Sequence, residues 1–209
     1  VVGLEHMLFG FDHAMFLIAL LLPAVLIRGA DGAWQPVRRF KPAARDLAKL
    51  VAAYIVGCSL TLALAALGAL RVPERAVEVA IAFTVGLAAT NILVPLFRSR
   101  SWMVVLVCGG FHGLGFATLI SDLVVVREAP GLYLLAFDLG IAFGVLLLAT
   151  VLFPVLFLMR KMGFYRKLLL PAAALVMAVM SCVWMVERAL GLDFLLTKRA
   201  RSILGKVVP

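Results

Sequence analysis

Apolar runs long enough to cross a bilayer alternate along the chain with short polar stretches. Crossing a hydrocarbon layer about 30 Å thick takes about 20 apolar residues in a helix. Six runs reach that length: Leu4–Ile27, Leu47–Leu70, Val77–Phe97, Trp102–Val126, Leu132–Leu158 and Leu168–Leu190. The charges and helix breakers gather between them, at Gly29 to Pro42, Arg71 to Glu74, Arg98 to Ser101, Arg127 to Gly131 and Arg160 to Lys167. Alternation of period two, the mark of a membrane β-barrel, is missing. The pattern predicts an all-α polytopic membrane protein, one bundle of about six transmembrane helices over residues 1–190. A basic tail, 191–209, follows and suits a membrane surface. No internal repeat or low-complexity tract interrupts it.

Composition agrees. Of 209 residues, 65% are hydrophobic and 15% charged, against about 45–50% and about 25% in soluble domains. A small soluble domain cannot hide a mean hydropathy of +1.12, because much of its surface stays exposed. The net charge of +9 lies mostly between the apolar runs, which fits an anionic leaflet better than nucleic acid. The first, third and fifth loops hold Arg28, Arg38, Arg39, Lys41, Arg45, Lys49, Arg98, Arg100, Arg160, Lys161, Arg166 and Lys167, whereas the second and fourth hold Arg71, Arg75 and Arg127. Lysine and arginine favour the cytoplasmic side, so the N-terminus is expected outside. The end of the chain argues the other way, through Arg188, Lys198, Arg199, Arg201 and Lys206. Opening on Val1 rather than Met fits a cleaved signal peptide or another upstream segment. Cys58, Cys108 and Cys182 all lie inside apolar runs, and an odd number of such thiols makes no disulfide framework.

All three histidines fall within spans: His6 and His13 in the first, His112 in the fourth. Asp12 also lies in the first run, Glu78 and Asn91 in the third, and Asp138 in the fifth. An ionisable group in hydrocarbon costs at least about 2.5–3.5 kcal/mol, so it faces a partner, a cavity or a pathway. On a straight helix His6 and His13 point the same way, two turns or about 10 Å apart. With metal–nitrogen bonds of about 2 Å they cannot share one ion. Adjacent Asp12 and His13 diverge by about 100° and reach one site only from its edges. A multidentate site therefore recruits another helix, and His112 is the candidate, with His6 as an outer station. Three readings stay open on spacing: metal or proton handling, a purely structural polar cluster, and a site for another ligand. Cys58 reads more readily as a small hydrophobe than as a ligand, and the scattered methionines as filler.

Soluble enzyme motifs are missing: no Walker sequence, no dinucleotide fingerprint, no Gly-x-Ser-x-Gly elbow and no Cys-x-x-Cys pair. ATP-driven transport by this chain alone and an enzyme role are both unsupported; nothing in the spacing joins Ser59 to His112 as an intramembrane hydrolase would require. Gly109 and Gly113 on the fourth span, and Gly140 and Gly144 on the fifth, are each four apart. Small residues at that spacing let helices approach closely, and the two spans are expected to pack on each other.

The stretch Gly3–His13, Gly-Leu-Glu-His-Met-Leu-Phe-Gly-Phe-Asp-His, resembles the signature of the HupE/UreJ family of hydrogenase/urease accessory membrane proteins. Four more stretches resemble its second subgroup: Cys58-Ser-Leu-Thr-Leu, Val77-Glu-Val-Ala-Ile-Ala, Phe111-His-Gly-Leu-Gly-Phe-Ala and Phe137-Asp-Leu-Gly-Ile-Ala-Phe-Gly. The resemblance implies a multi-pass protein of the bacterial inner membrane, with relatives linked to nickel or cobalt uptake. It implies His6, Asp12, His13 and His112 as metal-handling residues, with Glu78 as a helix-end acid and Cys58, Asn91 and Asp138 as secondary polar positions. Membrane-complex subunits or metalloenzyme maturation proteins are the implied partners.

The chain also departs from the pattern. Cys58 stands where the family has histidine, Ala142 where it has glutamate, Val145 where it has glutamine and Asp138 where it has asparagine; Thr90 precedes Asn91 where glutamate is common. One imidazole and two carboxylates are lost; one thiol and one carboxylate are gained. A thiol shifts preference toward copper or zinc. The expectation is a protein that binds or passes a divalent transition metal (nickel, cobalt, copper or zinc) without ATP hydrolysis. The alternative is a non-transporting scaffold or assembly subunit of a larger membrane complex.

Overall fold

A computed structural model describes residues 2–29, 32–97, 101–121 and 130–192. Its elements are α1 (Val2–Phe9), α2 (Phe11–Leu21), a short hairpin of β1 (Leu26–Arg28) and β2 (Trp34–Pro36), α3 (Phe40–Ala66), α4 (Glu74–Leu93), α5 (Ser101–Ser121), α6 (Pro130–Met159) and α7 (Leu170–Leu190). Five helices are long and apolar enough to cross a membrane, and the bent pair α1 and α2 makes a sixth span when counted as one. The chain is an all-α polytopic membrane protein, as the hydropathy pattern predicts. The tail 193–209 and the fourth loop around Arg127 lie outside the described residues.

Helix ends follow local chemistry. Pro73 precedes α4, where a missing N–H costs nothing, and Pro171 of α7 follows directly on the π turn Tyr165–Leu169. Gly191, at φ 66°, ends α7 in the left-handed conformation, which glycine adopts without Cβ strain. The Asn91 side-chain oxygen accepts from the backbone N–H of Leu96 and Phe97, at 2.9 and 3.0 Å, and so shapes the exit from α4.

Glycine positions decide which helices touch. A Cβ at Gly57 would meet Leu106 of α5, and one at Gly109 or Gly113 would meet the Tyr54 or Cys58 backbone of α3. Thr61 crosses the same seam to donate to the Gly110 carbonyl at 2.8 Å. The glycines of α6 serve a different neighbour: Gly140 faces Gly3 and Leu4, and Gly144 faces Met7. The α5 and α6 glycines thus do not form the mutual contact expected from their spacing. Each pair needs a small-residue partner, which Gly57 on α3 and Gly3 on α1 supply.

Two further departures concern the first span. It is not one helix: α1 and α2 meet at an angle of 66° across Gly10. The run is not helical to its end either, because Leu26 and Ile27 lie in β1, which pairs antiparallel with β2, Ile27 opposite Gln35. Tyr165, fully buried, donates its hydroxyl to the Leu22 carbonyl at 2.5 Å beside Pro23, where the helical ladder of α2 gives way to a 3₁₀ turn. That bond ties the C-terminal end of α2 to the start of the last span.

Candidate functional site

The break at Gly10 builds the site. Gly10 has φ −70° and ψ 100° and caps α2, while its N–H still bonds the His6 carbonyl at 2.8 Å. A Cβ there would run into that carbonyl and lie 2.9 Å from the His13 ring. The resulting fold-over brings the His6 and His13 ring centroids to 5.2 Å. The separation of about 10 Å expected on a straight helix is therefore overturned, because the helix is not straight.

His13 in turn meets His112 of α5, with ring centroids 4.8 Å apart and the two Nδ1 atoms 2.6 Å apart. His112 is fully buried and His13 is 5% exposed. The far side of His112 is held by Thr84 of α4, Nε2 to Oγ1 at 2.8 Å. The Thr84 hydroxyl gives its own hydrogen to the Ile81 carbonyl at 2.7 Å, so it can only accept from His112. The network thus assigns the hydrogen of His112 to Nε2. With both rings neutral, His13 donates from Nδ1 and His112 accepts on Nδ1. His112 and Thr84 sit near the middles of their helices, so the pair lies at mid-depth. Aromatic rings enclose it: Phe116 against His13 and His6, and Phe16 and Tyr54 against His112.

The remaining sequence candidates lie elsewhere. Asp12 forms a salt bridge with Arg188 of α7, whose other nitrogen donates to the Glu78 backbone carbonyl at 2.9 Å. Asp138 takes the Ser59 hydroxyl on both oxygens at 2.8 Å, which also commits Ser59 away from His112. Cys58 is fully buried against α5. Asn91 shapes a turn. Among the described residues, no three His, Cys, Asp or Glu side chains are grouped to hold a metal ion.

Thr84 and Arg188 were not among the candidates read from the sequence. Thr84 had a usable signal: it is the polar member of the face Val77, Ile81, Thr84 at helical spacing, all three buried. Arg188 counted only as a charge at the end of the last span, because nothing in a one-dimensional pattern pairs it with Asp12.

A family model described as HupE / UreJ protein matches residues 1–188. The chain belongs to the HupE/UreJ family. Its members are multi-pass membrane proteins associated with nickel or cobalt transport or with accessory functions for hydrogenase and urease, not a catalytic family. No curated protein and no solved structure matched the chain. Within the match lie the bent first span, Thr84, His112 and the Asp12–Arg188 pair.

Proposed function

We propose that this protein binds and passes a divalent transition-metal cation, nickel- or cobalt-like, across the bacterial inner membrane without hydrolysing ATP. One observation carries the reading: all three histidines of the chain meet ring to ring in the bundle core. Imidazole suits nickel, copper and zinc among the first-row ions. Bonds of about 2.0–2.1 Å at angles of about 90–110° would set two nitrogen ligands about 2.8–3.4 Å apart. The His13 and His112 Nδ1 atoms, at 2.6 Å, need to open by less than about 1 Å to reach that bite, and the His13 hydrogen must move from Nδ1 to Nε2 so that both Nδ1 lone pairs face the ion. Water on the cation would fill the other positions. Two imidazoles hold an ion loosely, and a conducting site must release what it binds. His6 serves as the outer station, and Asp12, one residue from His13, as an acid near the entry. The basic odd loops face the cytoplasm and the N-terminus faces out; the bundle through Leu190 acts as one unit, with the basic tail on the membrane surface.

The test is metal content by mass spectrometry, together with uptake, for wild type, His13→Ala and His112→Ala. Bound nickel or cobalt and saturable uptake, both lost in either variant, support the reading. Uptake unchanged in both variants would sink it.

A second reading, a scaffold for metalloenzyme maturation proteins or other membrane subunits, draws on Cys58 and Val145, both fully buried where the family carries polar groups. It requires stoichiometric partners after purification in mild detergent, and a chain that runs alone counts against it.

A further inference from the structure

Inside the bundle, on the side of the basic loops, α2, α3, α4 and α5 enclose a cavity of about 620 Å³. Its mouth is polar, with Arg28, Asn91 and Ser101 at the ends of the hairpin, α4 and α5. Its floor includes Phe16 and Cys108. Phe16 is the common wall. One side of its ring belongs to this cavity; the same ring lies 4.8 Å from the His112 ring and stacks on Tyr54 at 5.3 Å. Phe16 is 1% exposed and Tyr54 is 0% exposed, so both rings are closely packed where they stand between the cavity and the histidine pair.

We propose that this cavity is the cytoplasmic vestibule of the cation route, and that Phe16, backed by Tyr54, is the barrier separating it from the His13–His112 pair. This rests on the transport reading above and adds where the ion leaves and what holds it back. Arg28 keeps its positive charge at the mouth, as a group fixed in place rather than a mobile one. Its guanidinium is committed to the Ile92 and Leu93 carbonyls at the end of α4 and lies 4.6 Å from the centre of the Trp34 ring. Rotation of the Phe16 side chain about its own bonds, once its packing on Tyr54 loosens, would join the two compartments without a rearrangement of helices.

Two native cysteines stand on either side of this barrier. Cys108 lines the vestibule. Cys58 lies one turn beyond Tyr54 on α3 and packs against Gly113, the residue after His112. The test treats inside-out and right-side-out vesicles of the full chain with a small cationic methanethiosulfonate that does not cross membranes, and maps the modified cysteines by peptide mass spectrometry. Cys108 is expected to react from the cytoplasmic face at least about tenfold faster than from the outer face, with Cys58 silent. In Phe16→Ala, Cys58 becomes reactive from the cytoplasmic face; in Phe16→Leu, which keeps bulk, it stays silent. A silent Cys108, a Cys108 that reacts equally or faster from outside, or a Cys58 that reacts in wild type as fast as Cys108 overturns the proposal without needing any variant to fold. Labelling uses no metal, so these results are separate from the uptake of His13→Ala and His112→Ala. Loss of the transport reading would show in uptake alone, and loss of the vestibule in the labelling alone.

Discussion

His13 and His112, ninety-nine residues apart in sequence, face each other Nδ1 to Nδ1 at 2.6 Å, and the orientation of that bond is set one step further on by Thr84. The Thr84 hydroxyl is bound to the Ile81 carbonyl and so fixes the hydrogen of His112 on Nε2. This leaves the Nδ1 lone pair of His112 directed at His13, the orientation a ligand atom must have.

Thr84→Val keeps the shape and removes the acceptor. The buried His112 Nε2–H then lacks a partner, and an unsatisfied buried donor costs about 1–3 kcal/mol. A lower melting temperature is expected in detergent, together with loss of the single Nε2–H form of His112 by ¹⁵N resonance. Thr84→Ser should restore both. An unchanged histidine spectrum in Thr84→Val would show that the hydroxyl does not set the tautomer.

Gly10→Ala tests the bend while leaving every histidine in place. The added methyl meets the His6 carbonyl and the His13 ring, so the chain must shift at the point that brings the two rings together. Overpacking of this kind costs about 1–3 kcal/mol. Reduced thermal stability is expected, with metal uptake falling as far as in His13→Ala. Uptake at the wild-type level would separate transport from the His6–His13 contact.

The membrane class and the spans were legible in the sequence because lipid imposes a length and a polarity on each crossing. The histidines were legible as candidates for the same reason, since an imidazole in an apolar run demands an explanation. Their meeting was only half legible. His112 as a partner for His13 follows from the need to recruit a second helix. His6 does not, because periodicity assumes a straight axis, and Gly10 breaks it. Helix pairing was unreadable from the glycines of α5 and α6 alone: a small-residue stripe states that something comes close, and not which helix. Asp12 shows the same limit. Its partner Arg188 lies at the opposite end of the chain, and only the fold joins them.

The seam between α3 and α5 offers a comparison internal to the chain. A Cβ at Gly113 would overlap the Cys58 backbone and the Thr61 hydroxyl, whereas one at Gly131 in α6 meets nothing within 4 Å. Gly113→Ala is expected to lower the unfolding temperature and to disturb His112 next to it, with partial loss of uptake. Gly131→Ala, in the first turn of α6, should be neutral or slightly stabilising, because alanine is favoured over glycine in helices by at most about 1 kcal/mol. Equal effects of the two changes, measured by thermal unfolding, would contradict the close approach of α3 and α5.

Asp12 and Arg188 are about one-fifth exposed each and join the first span to the last. Removing one partner strands the other charge in a poorly solvated site, which is where breaking an ion pair costs most. Arg188→Gln also removes the donor to the Glu78 carbonyl, so it should destabilise more than Asp12→Asn. A double-mutant cycle isolates the ion pair from that extra bond. A coupling of about 1–3 kcal/mol is expected from unfolding in mild detergent, above the about 0–1 kcal/mol of an exposed surface pair. The exchange Asp12→Arg with Arg188→Asp should recover part of the stability lost in either single charge reversal. It should not recover uptake, because the acid next to His13 would then be a cation facing the entry of the histidine track. Full recovery of uptake in the exchanged protein would reduce the pair to a structural clamp.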